Sequence, residues 1–287
     1  MLKKILYLLL AAPFTGTAQF YYKDILSMQQ TTALQQQYKS QKIRKTVLTS
    51  FDPGDQPIPN FICFQELSPT FNIIKTYTQS SASLQSVLVS QFNSNLQLIK
   101  SSDSSNASLA VTSYSYNEKG FLSAVDITTQ SYAYKVSENE KHIWLYDTAN
   151  RVDRMYRIRN GNDTTVIQFK LDENGLPAEE VWYNRKGQNI NRFYYYYDSF
   201  KRLTDIVTYN SRAKKLLPEY VFEYYENGKM SSMLSVQAGT SNYLIWRYRY
   251  NDKGLKERET CFDKQKQLLG YITYRYQYKK LKLVLGD

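Results

Sequence analysis

Residues 246–255 read WRYRYNDKGL, and this stretch decides the fold. Side chains of an extended chain alternate between two faces, so Trp246, Tyr248 and Tyr250 share one face and Arg247 and Arg249 the other. Asn251 opens a tight turn through its side-chain oxygen, and Gly254 suits a closing position that needs positive φ. The segment reads as a strand running into a hairpin turn.

Working outward, the same phrase recurs. It appears as SYSYNEKGFLSAV from Ser113, IWLYDTANRVDRM from Ile143, IQFKLDENGLPAE from Ile167, YYYYDSFKRLTDI from Tyr194 and FEYYENGKMSSML from Phe222. A weaker copy, SQFNSNLQLIKSS, starts at Ser90, and YRYQYKKLKLVLG from Tyr274 has lost its turn residues. The turns open at Asn93, Asn117, Asp147, Asp172, Asp198, Glu226 and Asn251, a spacing near 26 residues that signals a repeat architecture. A second turn follows many of the first, at Asn160, Asn184, Asn210, around Ala238, and at Asp263. Each repeat is therefore a pair of strands in an antiparallel meander. A step of 26 is even, so it places Tyr196, Phe222, Tyr248 and Tyr274 on one side as an aromatic ladder. Of 27 tyrosines in the 287 residues, most lie within these repeats, and each cross-strand contact of the ladder would be worth about 0.2–1 kcal/mol.

The YxYDxxGxL pattern resembles the YD repeats of the rearrangement-hot-spot (RHS) family, and the shorter aromatic-turn-glycine hairpin repeats of secreted and envelope proteins of the Bacteroidota. The resemblance covers residues 90–286 and is strongest at residues 116–122, 197–203 and 250–255. It implies antiparallel hairpin repetition and a non-catalytic scaffold role. In the large RHS proteins such repeats wind a spiralling sheet around a toxin; here the repeats are too few for a closed shell, and no toxin domain is expected after them. The fold expected is all-β: an extended, twisted antiparallel meander, an open sheet rather than a closed barrel, with a short N-terminal helix.

The N-terminus sets the destination. MLKKILYLLLAAPFTGTAQF has Lys3 and Lys4, a short apolar run and a small-residue exit, the pattern of a signal peptide over residues 1–18. Export to the periplasm, cell surface or medium follows. An irregular or helical segment is expected over residues 19–46, with a helix from Asp24 to Gln41 capped by Asp24, and a β-repeat domain over 47–287. No later segment is apolar enough for a membrane helix. Loss of Lys3 and Lys4 with the signal peptide lowers the formal charge from +11 to about +9, an excess that favours anionic partners such as acidic glycans or lipopolysaccharide, while export argues against nucleic acid. A plainer account is that Lys and Arg protect exposed sheet edges from aggregation.

Catalytic groups are scarce. His142 is the single histidine, and beside Ile143 and Trp144 it reads as a strand residue rather than a base or ligand. No metal or cofactor site is expected. Glu179 and Glu180 should point to opposite faces, whereas Glu257 and Glu259 share a face amid Lys256 and Arg258 and read as ion pairs rather than a glycosidase pair. Trp246, Tyr248, Tyr250, Tyr274 and Tyr276 form the best candidate surface for a glycan or an envelope protein partner, with Trp144 and Trp182 second. Thr148 and Thr164 stand in Asp-Thr-X triplets that look like an O-glycosylation sequon of exported Bacteroidota proteins. The function expected is non-catalytic binding or scaffolding in the envelope. An outer-membrane β-barrel and a glycan-active enzyme are the alternatives. Cys63 and Cys261 should remain free thiols, because an open sheet would hold them tens of Å apart.

Overall fold

The computed structural model describes residues 20–81, 83–210, 213–237 and 240–278. The signal peptide expected over residues 1–18, the turn expected near Ala238 and the chain after residue 278 lie outside them. One helix, α1 (Lys23–Ser40), comes first. Eighteen strands follow: β1 Ile43–Phe51, β2 Ile62–Leu67, β3 Ile73–Ser80, β4 Ser83–Phe92, β5 Leu98–Ser105 and β6 Ser108–Tyr116. Next are β7 Leu122–Ser131, β8 Val136–Tyr146, β9 Val152–Arg159, β10 Asp163–Leu171, β11 Pro177–Tyr183 and β12 Asn189–Tyr197. The last are β13 Leu203–Asn210, β14 Lys215–Tyr224, β15 Met230–Val236, β16 Tyr243–Tyr250, β17 Lys256–Phe262 and β18 Leu268–Tyr278.

The expected open sheet is overturned. Every strand pairs antiparallel with its sequence neighbours, and β1 pairs with β18 from Ile43↔Tyr278 to Phe51↔Tyr271, closing the sheet into an eighteen-strand β-barrel. Closure satisfies the backbone groups that two free edges would leave unpaired. It also removes the plainer account of the positive charge, since a closed barrel has no edges to protect.

All the turns that follow even-numbered strands lie at one end of the barrel, and there the repeat is built from three devices. The first is the turn itself: the side-chain oxygens of Asn93, Asn117, Asp147, Asp172, Asp198 and Asn251 each accept from the backbone N–H four residues on. In the sixth copy Tyr225, not Glu226, opens the turn, its N–H bonding the Lys229 carbonyl. Gly254 closes its turn at φ +73°, and Lys201 takes the same place at +61° without being glycine. The second device is a bulge. The register skips one residue after the repeat turns, at Ser123, Asp153, Ala178, Thr204, Ser231 and Glu257, though not after the turn between β2 and β3. The third is a ring of tyrosines. Tyr116, Tyr146, Tyr197, Tyr224, Tyr250 and Tyr276 donate their hydroxyls to the carbonyls of Leu98, Leu122, Pro177, Leu203, Met230 and Lys256, each the first residue of the preceding strand, at 2.6–2.9 Å. Each such bond contributes about 1 kcal/mol.

The aromatic ladder needs one correction. Phe222, Tyr248 and Tyr274 face the lumen, but Tyr196 points outward and is 48 % exposed. The interval from Asp198 to Tyr225 is odd, which flips the face, and Tyr195 is the lumen-facing equivalent.

Helix α1 runs inside the barrel. Tyr21 and Ile25 pack on Leu122, Val125, Trp144, Met155 and Ile167, whereas Tyr38 packs on Ile43, Leu67, Ile74, Phe92 and Leu98. Phe20, just ahead of it, lies among Phe193, Tyr195 and Ile206. One element touching the inner faces of strands from so much of the circumference must lie in the lumen. A barrel of this strand number is wide enough to leave an aqueous channel, and α1, about 27 Å long, crosses it. The expected helix is present, but Asp24 does not cap it. Tyr22 is the N-cap and makes no side-chain cap bond.

Candidate functional site

The densest polar chemistry lies where the start of α1 meets the wall. Glu180 on β11 is fully buried and faces inward. Its carboxylate accepts from the backbone N–H of Tyr21 at 2.7 Å and of Tyr22 at 2.9 Å, from Trp182 Nε1 at 2.6 Å and from the Tyr195 hydroxyl at 2.5 Å. A helix start leaves its first N–H groups unpaired and carries a partial positive charge, so a wall carboxylate replaces the missing local cap. Burial pushes the Glu180 carboxyl up, and the four donors pull it back.

Asp24 turns away from the helix start to His142 on β8, Oδ2 to Nδ1 at 2.5 Å. The other ring nitrogen, Nε2, meets Glu140 at 2.8 Å, and Arg157 bridges to Glu140 at 2.7 Å. Burial works against a charged imidazole, yet the carboxylates of Asp24 and Glu140 outweigh it and hold His142 up at about 9. Burial would raise Glu140, but His142 and Arg157 bring it down to about 2. With both nitrogens filled and its side chain 2 % exposed, the ring joins helix to wall and offers no lone pair to a substrate.

The far end of α1 is held by neutral groups. Gln35 donates to the Phe71 carbonyl at 2.6 Å, and Gln37 and Gln41 donate to the Gly254 and Lys253 carbonyls at 2.9 Å. The Tyr38 hydroxyl donates to Gln65 Oε1 at 2.8 Å.

The aromatic strip read from the sequence does share one face, and it is the inner one. Trp246 and Tyr248 are buried, Tyr250 and Tyr276 bond carbonyls of the barrel, and Tyr274 donates to Glu259 at 2.8 Å. These rings touch the barrel rather than solvent, because a closed sheet has an interior to fill. Trp144 is likewise buried, and Trp182 is committed to Glu180. Thr148 is exposed in the β8–β9 turn, and Thr164 is half-buried on the outer face of β10.

Glu179 and Glu180 point to opposite faces, Glu179 meeting Lys170 and Arg192 outside at 3.1 Å each. Glu257 and Glu259 do not share a face. Glu257 is the bulge residue and pairs with Arg249 outside at 3.0 Å; Glu259 is buried and meets Lys256 at 2.6 Å. The charges of this strand thus divide differently from strict alternation: Lys256 and Glu259 turn inward, Glu257 and Arg258 outward.

Cys63 and Cys261 are free thiols, as expected, and both are buried, but it is not an open sheet that keeps them apart. Closure brings β2 and β17 to one region of wall, where β18 and β1 still separate them by three strand steps, about 14 Å. Burial pushes both thiols up to about 12. Among the described residues no group of three or more His, Cys, Asp or Glu could hold a metal ion, and no helix is long and apolar enough to cross a membrane.

No protein-family model matches the chain, and no curated protein matches it. Solved structures show remote likenesses. One, titled TcdB2-TccC3-TEV, has 12 % identity and a TM-score of 0.34 over 76 % of this chain, which corresponds to only 12 % of that protein's length. Another is a porin-like protein from Bacteroides uniformis ATCC 8492, with 9 % identity and a TM-score of 0.39 over 82 % of this chain and 98 % of that one. A putative outer membrane lipoprotein-sorting protein domain from Vibrio parahaemolyticus has 8 % identity and a TM-score of 0.17. Likenesses this remote carry no argument about what this chain does.

Proposed function

We propose that this protein is an exported β-barrel of the cell envelope, related in its repeats to the YD-type hairpin proteins, that acts by binding and not by catalysis and does not conduct through its lumen. The observation that carries this reading is α1 lying across the lumen, anchored to the wall at both ends. Closure favours the barrel alternative over an open scaffold. The absence of catalysis is supported by the occupied state of the inward polar groups: His142 has both nitrogens filled, and Glu180 and Glu259 are committed to partners.

The outer wall bears on where such a barrel stands. Lys45–Glu66, Lys141–Asp126, Lys170–Glu179–Arg192 and Arg249–Glu257 place ion pairs on its outer face all round the circumference. Each Lys or Arg facing lipid at mid-membrane would cost about 2–4 kcal/mol. These charges favour a wall in water. A membrane-embedded barrel is the second reading, and closure itself is the observation in its favour.

One experiment separates them. Native protein expressed with its leader is tested for solubility without detergent and for conductance in planar bilayers. The proposal expects a detergent-free soluble form and no stepwise conductance. Retention in carbonate-washed membranes, or discrete conductance steps, would favour the embedded barrel and end the proposal.

A further inference from the structure

The outer wall is not evenly neutralised. Around β7–β12, Lys141, Lys170 and Arg192 each meet a carboxylate. Across β16, β17 and β18 the pattern breaks. Arg247 lies opposite Thr260, Arg258 opposite Thr273, and Arg275 opposite Val47. Each step from Arg247 to Arg258 to Arg275 therefore crosses one strand and two residues, a diagonal spacing of about 7–8 Å. Lys45 on β1 continues the row by the same step and is met by Glu66. Arg247, Arg258 and Arg275 have no carboxylate partner among the described residues. The nearby acids are engaged: Glu257 with Arg249, Asp55 with the Tyr271 hydroxyl at 2.8 Å.

Two further features show that this row is costly as it stands. Arg249 and Arg258 are direct cross-strand partners, and like charges placed opposite each other destabilise a sheet. Arg258 Nε is also buried without a hydrogen-bond partner. The like-charge cost falls if an anion lies along the row. Rings line it: Arg258 sits 3.5 Å over Tyr271, which stacks on Phe51 at 4.8 Å, and Arg247 sits 5.1 Å from the Phe262 ring centre. Tyr271 is itself buried between Arg258 and Phe51, so the row offers a ligand its guanidinium groups beside the half-buried Phe262 ring, and evenly spaced cations suit a polymer that repeats its acidic substituents.

We propose that the outer face of β16–β18 is a docking surface for an acidic polysaccharide, whose carboxylate or sulfate groups meet Arg247, Arg258 and Arg275 in turn. This rests on the reading of the barrel as a binding protein with its wall in water.

The test uses the full mature protein with dextran sulfate and polygalacturonate as probes. Neutral dextran, phosphatidylglycerol vesicles and a DNA duplex are the comparisons. Binding to both charged polysaccharides, weakening with added salt and absent for neutral dextran, is expected. The triple variant Arg247→Gln, Arg258→Gln, Arg275→Gln should bind about tenfold more weakly, the worth of three exposed charge contacts. A triple of equal charge on the opposite wall, Lys141→Gln, Lys170→Gln, Arg192→Gln, should bind as the parent does. The double variant Arg247→Gln, Arg275→Gln keeps the Arg258 stack and should still lose affinity, which guards against a folding defect in the first. Equal weakening by both triples would show attraction by net charge alone and overturn the proposal. So would no binding to either charged polysaccharide, or tighter binding to vesicles or DNA. If the protein stays soluble and non-conducting while failing to bind, only the docking surface falls; if it needs detergent, the underlying reading falls.

Discussion

The two ends of α1 are fastened in opposite ways. At its start the barrel supplies charge: Glu180 takes two backbone N–H groups, and His142 grips Asp24 while leaning on Glu140 and Arg157. At its finish the fastening is neutral, made by Gln35, Gln37, Gln41 and Tyr38 to carbonyls and one amide. Buried charges are costly unless fully partnered, so the first anchor is strong but titrates, whereas the second is weaker and indifferent to pH.

The largest effect should come from Glu180→Leu. It strands two backbone N–H groups, Trp182 Nε1 and the Tyr195 hydroxyl, and should destabilise by about 3–5 kcal/mol in urea titrations. An unchanged midpoint would mean that the helix start is not seated on β11. His142→Ala comes next, at about 3 kcal/mol, because it leaves Asp24 buried without its partner and Glu140 held by Arg157 alone. Its signature is a pH profile. His142 is held above its ordinary value of 6.5, so its contribution is full below about 6.5 and is lost as pH rises through about 9. Glu140 is held below 4.5, so its share is full above that value and fades as pH falls toward 2. The His142–Glu140 part of the anchor should be strongest between about pH 4.5 and 6.5, and His142→Ala should flatten the alkaline limb. The smallest effect belongs to Gln37→Ala at the neutral end, about 0.5–1.5 kcal/mol and the same at pH 5 and pH 9. A pH-dependent loss there would erase the contrast between the anchors.

What the sequence made legible follows from the range of the interactions. Turns, strands and the two-strand repeat were readable because Asn251, Gly254 and the alternation of Trp246, Tyr248 and Tyr250 act within a few residues. The phase slips at Tyr225, where an aromatic stands in the Asp/Asn place, so a step of 26 back from Phe222 lands on the outward Tyr196 rather than on Tyr195. The bulge at Glu257 was hidden because an extra residue leaves no local mark. Closure was hidden for a different reason: Ile43 meets Tyr278 across almost the whole chain, and nothing in either residue signals the pairing. From that error followed the placing of the aromatic strip on an exposed surface, since an open sheet has no interior. His142 reads from the sequence as a strand residue and does lie on β8, but its partner Asp24 reads there as a cap. The inward Glu180 was seen only as the neighbour of Glu179; the signal that could have found it is a carboxylate at a position where other repeats carry Val125, Met155 or Ile206.

Closure of the sheet between its first and last strands is the claim on which the lumen, the plug and the outer wall all depend, and a cross-link tests it directly. Thr49 on β1 and Thr273 on β18 are register partners, whose Cα atoms stand about 4.5–5.5 Å apart in an antiparallel pair, within disulfide range. With Cys63→Ser and Cys261→Ser as background, the variant Thr49→Cys, Thr273→Cys should form an intramolecular disulfide under mild oxidation of the folded monomer. Two persistently free thiols in that folded monomer, with reaction only between molecules, would mean that β1 and β18 do not meet and that the barrel is open.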